Sequence, residues 1–198
     1  PLGDTYGYFS SAPLRGKKGT CYEGGMRVPF IASWTKAGKA NPFNIARNHL
    51  HHEQIGTVMD IFSTIVDASK SSSPAKHPID GVSLLPHLSG KSNKERPDHF
   101  MCHFPHSHRS SYFTSFRKAD WKLIYRYLTS GGKRKSKEPL PKYELYNLKN
   151  DPYETKNLAL KNIKKTNNMI RLMTKQLEDE NALFPVRDDL ELRPQLIQ

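Results

Sequence analysis

The sequence predicts an α+β fold, with a four-stranded antiparallel sheet in its C-terminal half and one long helix packed on that sheet. Three observations carry this expectation. From His99 onward, four runs rich in aromatic and β-branched residues follow one another: "HFMCHF", "SYFTSFRK", "WKLIYRYL" and "KYELYNL". Their partial alternation suits strands. A helical period then follows, with Ile163, Ile170, Met173 and Leu177 on one face. Upstream of His99 the texture differs, with one apolar run and one helical period set between turn-rich links.

Taken in order, residues 1–27 read as loop, because glycine, serine, proline and tyrosine recur without a sustained period. "VPFIASW", Val28–Trp34, is a short apolar run and predicts a buried strand. From Glu53 the spacing of Ile55, Val58, Met59, Phe62, Ile65 and Val66 predicts an amphipathic helix with one buried face. "SKSSSPAKHP" ends it, and "IDGVSLLPHLSGKS" reads as a turn, a short helical piece and a loop. The link "KADW" is short enough for a hairpin between the second and third strands. The link "TSGGKRKSKEPLP" before the fourth is long and basic. The final helix is expected over residues ~155–180, lying on one face of the sheet.

With a formal charge of +12, the chain favours anionic partners, although a solvated basic surface has the same composition. Cys21 and Cys102 make no disulfide framework and lie in no CxxC pair. No apolar run approaches the ~20 residues that span a bilayer.

The most informative stretch is "PLRGKKGTCYEGGMRVPFIASW", Pro13–Trp34. Its glycines permit positive φ or close approach of backbone to a ligand. Its lysines and arginines suit an anionic group such as sulfate or phosphate. "GKKG" is not a Walker A loop, which needs a different spacing. "HFPHSHRSSYF", His103–Phe113, brings three histidines and Arg109 together, but Pro105 disfavours a helix that would align them as zinc ligands. "HLHHE", His49–Glu53, reads as a solvated helix start, and "GGKRKSK", Gly131–Lys137, as a solvated basic run. No nucleic-acid-binding motif is recognisable.

The order of residues in Pro13–Trp34 closely resembles the second signature of the type I sulfatases, the arylsulfatase family of the alkaline phosphatase superfamily. Later stretches resemble the same family in the same order: "TVMDIFSTIVDAS", "IDGVSLLPHLSGK", "FRKADWKLIY" and "YELYNLKNDPYETKNLA". The resemblance implies that residues 1–95 are the C-terminal remnant of a large α/β catalytic domain. Residues 96–198 are then the C-terminal α+β subdomain.

It also implies roles. The lysine before "GT" points at the sulfate ester in that family, and here it is Lys18. Lys17 takes no catalytic role. Glu23, Gly24, Gly25 and Arg27 brace the loop. His103, His106, His108 and Arg109 follow a sheet strand and face the substrate pocket, where they would bind substrate. The family's formylglycine nucleophile arises from a "CxPSR" cysteine, which is absent from this sequence. Its calcium ligands align upstream of Pro1. Calcium and formylglycine are therefore expected in a full-length parent and not within these residues, and the chain alone is expected to be inactive.

The implied substrate is a sulfate ester, with a sulfated polysaccharide suggested by the charge. The family implies a periplasmic, secreted or lysosomal location. With the rest of a large sheet missing, the N-terminal elements are expected to expose apolar surface and to self-associate. The alternative is a noncatalytic module that binds anionic glycans through Lys17, Lys18, Arg109 and the Gly131–Lys137 run. A phosphate-ester hydrolase of the same superfamily is a third reading, disfavoured by the "EGGMRVP" stretch.

Overall fold

The computed structural model describes residues 11–34, 41–46, 54–73, 76–106, 111–129 and 139–198. The chain divides into two compact units. One gathers Pro1–Val28 with His99–Gln198, and the other spans Pro29–Asp98.

In the first unit four antiparallel strands follow in chain order: β1 (His99–Phe104), β2 (Phe113–Lys118), β3 (Trp121–Arg126) and β4 (Tyr143–Asn147). The expected hairpin joins β2 to β3, with Lys118 opposite Trp121. Period-two alternation separates the two faces of the sheet. Met101, Phe116, Leu123, Tyr125 and Leu145 point to one face and pack against the long helix, which contributes Met169, Ile170, Met173 and Leu177. This is the α+β arrangement expected from the sequence. The helix begins later than its pattern suggests, at Ile163, and ends at Asp179. Local side-chain bonds hold the preceding residues in turns. The Asp151 carboxylate accepts from the Thr155 and Lys156 amides at 3.0 and 2.9 Å. Asn157 Oδ1 accepts from the Leu145 and Ala159 amides. Such bonds offer the backbone an alternative to helix.

The opposite face of the sheet is also covered. Cys102 and Phe104 of β1, Phe113 of β2, Ile124 of β3 and Tyr146 of β4 pack with Cys21 and Tyr22. Residues 11–28, with a one-turn helix at Glu23–Met26, form this second cover. Three charged residues of that face, Lys122, Arg126 and Glu144, are each at most 2% exposed.

The second unit departs from expectation. Val28–Trp34 forms no strand, and Val28 and Ile31 are 72% and 89% exposed. β-Propensity needs a paired neighbour and a surface to pack on, and the described residues of this unit contain no strand to supply them. A helix forms at Asp60–Ser69, but Val58, Met59, Phe62 and Ile65 on its apolar side are exposed. Its polar side faces inward instead. Asp60 Oδ1 accepts from the Val82 amide at 2.9 Å, Ser63 donates to the Gly81 carbonyl at 2.7 Å, and Thr64 accepts from the Leu84 amide at 2.8 Å. Arg96 closes the cluster through Asp60 at 2.8 Å and the carbonyls of Ile55 and Val82. The short helical piece is Leu85–Leu88. No helix of the described residues is long and apolar enough to cross a membrane.

Candidate functional site

The loop from Ser11 to Met26 is built by its own backbone before any side chain contributes. Gly19 sits at φ +87°, the left-handed region that glycine adopts without strain. The Thr20 amide donates to the Lys17 carbonyl at 3.0 Å, and the Thr20 hydroxyl donates to the same oxygen at 2.9 Å. The Gly24 amide donates to the Arg15 carbonyl at 2.7 Å, closing the loop across its base. A Cβ at Gly24 would lie 2.6 Å from the carbonyl oxygens of both Arg15 and Gly16. A larger residue there would push the two arms apart.

Four cations of this stretch take different positions. Arg15 turns toward the sheet, with its guanidinium 3.9 Å from the Tyr22 ring centroid. It donates to the Tyr146 hydroxyl at 2.8 Å and to the Glu154 carbonyl at 2.8 Å. Lys17 is half-buried and Arg27 is exposed. Lys18 is exposed at the outer turn, and its ammonium pairs with none of the described residues.

Beneath the loop lies a buried network of charges. Lys122 Nζ reaches Glu23 Oε1 at 2.8 Å and Glu154 Oε1 at 2.9 Å. Glu154 Oε2 accepts from the Glu23 amide at 2.7 Å. Burial pushes the Glu154 carboxyl above its usual range, against the pull of Lys122. Beside these, Glu144 accepts from Arg126 and from the Tyr146 hydroxyl, and from the Tyr22 hydroxyl at 3.1 Å. Arg126 also donates to Tyr22 at 3.1 Å. Cys21 lies against the same guanidinium at 3.3 Å. Both cysteines are free thiols, and burial raises the pKa of each.

The histidine stretch divides. His103 lies on the helix side of the sheet, opposite the loop. Its Nε2 donates to the Leu183 carbonyl at 2.8 Å, and its Nδ1 shares a hydrogen bond of 2.7 Å with Thr114 Oγ1. The Thr114 and Tyr127 hydroxyls share a further hydrogen bond at 2.8 Å, and burial raises that phenol to about 12. Nε2 of His103 thus ties the segment after the long helix to β1, while Nδ1 ties β1 to β2. His106 is exposed and stacks on Phe104, with ring centroids 3.9 Å apart. His108 and Arg109 lie outside the described residues, as do His49–Glu53 and Gly131–Lys137. The fold therefore places Lys18 and His103 on opposite faces of the sheet.

Sequence reasoning missed Arg15, Lys122, Arg126, Glu144 and Glu154 as parts of this site. One signal was available. Charges of both signs occupy one alternation phase of neighbouring strands, Lys122 and Arg126 on β3 and Glu144 on β4. Paired strands with opposite charges on one face point to a partner for that face.

Comparison with known proteins agrees with the motif reading. A family model described as N-sulphoglucosamine sulphohydrolase, C-terminal, matches residues 16–182. The chain belongs to this family. It is 31% identical over 170 residues to a sulfatase of Formosa agariphila, covering 81% of this chain and 28% of that protein. It is 36% identical over 88 residues to the N-acetylgalactosamine-6-sulfatase of Canis lupus familiaris, covering 44% of this chain and 15% of that one. Among solved structures it is similar to a 2-O GAG sulfatase at 23% identity and a TM-score of 0.47, over 62% of this chain and 24% of that one. The chain thus spans between about a seventh and about a quarter of the curated relatives it matches. Among the described residues no group of three His, Cys, Asp or Glu side chains is placed to hold a metal ion.

Proposed function

We propose that this chain is the C-terminal part of a sulfate-ester hydrolase, and that its signature loop presents Lys18 to the sulfuryl group. The observation that carries the reading is the different fate of neighbouring cations. Arg15, its side chain 42% exposed, is tied down by hydrogen bonds to Tyr146 and Glu154, whereas Lys18 is exposed with no partner among the described residues. An ammonium there is available to an external anion. As the S–O bond breaks, negative charge shifts toward the leaving oxygen while the sulfuryl oxygens stay anionic. A fixed cation beside them lowers the barrier without having to reorganise.

The nucleophile and metal ligands belong to other residues of the complete protein, so the chain alone is inactive. In this reading His106 binds substrate, as do His108 and Arg109, which lie outside the described residues. The ring of His103 is committed to internal hydrogen bonds, so its part is to hold β1 in place. Sulfated sugars are the substrate class that the charge of +12 favours.

The test is Lys18→Ala in the complete gene product, assayed with a chromogenic aryl sulfate. The expected result is a fall in kcat of about 10²-fold or more with KM little changed. Wild-type kcat in the variant would overturn the assignment.

A further inference from the structure

The buried charges beneath the loop form a closed arrangement around one residue, Glu154. Its backbone carbonyl accepts from Arg15, at the start of the loop, and its carboxylate accepts from the amide of Glu23, at the end. These contacts cross 139 and 131 residues of sequence. Glu154 has φ +55°, a left-handed conformation uncommon for a residue other than glycine. The backbone there is held so that carbonyl and carboxylate reach the two arms of the same loop. The second carboxylate oxygen of Glu154 meets Lys122 Nζ, which also binds the Glu23 side chain. Glu23 is thereby held at both its amide and its carboxylate. Lys122 and Glu154 are 2% and 0% exposed in their side chains, so water does not compete for these contacts.

We propose that Glu154 and Lys122 are positioning residues that set the height and direction of Lys18 above the substrate, although neither touches substrate. The inference rests on the reading of Lys18 as the sulfate-contacting cation. The physical reason is rigidity. Among the described residues no side chain pairs with Lys18, so the position of its ammonium depends on the two ends of its loop. Glu154 touches both ends, with Tyr146 beside it at Arg15, and Lys122 holds the Glu154 and Glu23 carboxylates together. A shift of this clip moves Lys18 directly, and a misplacement of about 1 Å at a reacting centre can cost about 10²-fold in rate.

Three variants of the complete gene product test this: Glu154→Gln, Lys122→Met, and the two combined. The combined change removes one charge of each sign and avoids leaving Lys122 opposite a neutral partner. Amide hydrogen exchange is the readout that needs no activity. Exchange of Lys17–Glu23 should accelerate at least about tenfold, while Leu123–Tyr125 stays protected in the combined variant. The kinetic readout is a cycle with Lys18→Ala. Each clip variant should lower kcat about 10- to 10²-fold with KM little changed. The same variants should change kcat by no more than about twofold once Lys18 is alanine, because coupled residues are not additive. A purely structural role predicts equal losses in both backgrounds and would overturn the proposal, as would unchanged exchange in the loop. If Lys18→Ala leaves kcat intact while the loop exchange still rises, the sulfate reading fails and the clip stands as a holder of the loop alone.

Discussion

The two compact units bury different kinds of group. The unit containing the sheet buries apolar side chains against its long helix and a network of ion pairs on the other face. The unit spanning Pro29–Asp98 turns apolar residues outward and builds its inside from Asp60, Ser63, Thr64 and Arg96. The difference teaches what each can do alone. A sheet with both faces covered satisfies its backbone and its side chains together. A helix held by hydrogen bonds on its polar side leaves Phe62 and Ile65 facing solvent, a surface suited to contact with further protein.

The largest effect should come from breaking the charge network. Glu144→Ala removes the acceptor shared by Arg126, Tyr146 and Tyr22 and leaves a buried guanidinium without its carboxylate. A loss of about 5 kcal/mol is expected, the upper part of the range for breaking a buried pair. Urea unfolding followed by the fluorescence of Trp121 would measure it. A loss no larger than that of a surface substitution would show that the network is not a unit.

Asp60→Asn should cost less, about 3 kcal/mol, because Arg96 keeps the carbonyls of Ile55 and Val82. Faster amide exchange at Val82–Leu84, with the sheet unchanged, would confine the effect to the second unit. The same carboxylate sets a pH dependence. Burial pushes the pKa of Asp60 up, but Arg96 and the Val82 and Thr57 amides pull it down further, so it ends below its usual value. A lowered carboxyl adds stability above its unfolded pKa of about 4, and that contribution is lost as pH falls through the folded value. Protection of Val82–Leu84 should therefore decline below about pH 4 in the wild type and show a weaker decline in Asp60→Asn.

The smallest effect sharpens the comparison from outside. Ile65→Ser should change stability by no more than about 0.5 kcal/mol, because Ile65 is 61% exposed. In the isolated 198-residue chain it should lower self-association, read as the weight-average mass in sedimentation equilibrium. Unchanged association would place the sticky surface elsewhere.

The four strands, their order and the helix were legible because local periods declare them. Alternation of two in "WKLIYR" and a spacing of three and four from Met169 to Leu177 follow from backbone geometry, whatever lies nearby. The loop was legible as a motif because residue order carried a family resemblance, and the proposed role of Lys18 rests on that same order. The buried strand expected at Val28–Trp34 was not found, since an apolar run becomes a strand only beside a neighbour that can pair with it.

Contacts far apart in sequence were beyond reach by the same reasoning. Read along the chain, Lys122 and Arg126 are polar positions on a half-exposed strand. They are buried because residues 11–28 fold back over that face, and a single glutamate 131 residues beyond the end of the loop receives its amide. By itself the sequence determined the four strands of the sheet, the presence of the long helix and the family motif, all of them properties of neighbouring residues. Only the tertiary structure decided which charges are buried, which face of the sheet His103 takes and what holds the loop in place. Those depend on pairings that no local period encodes.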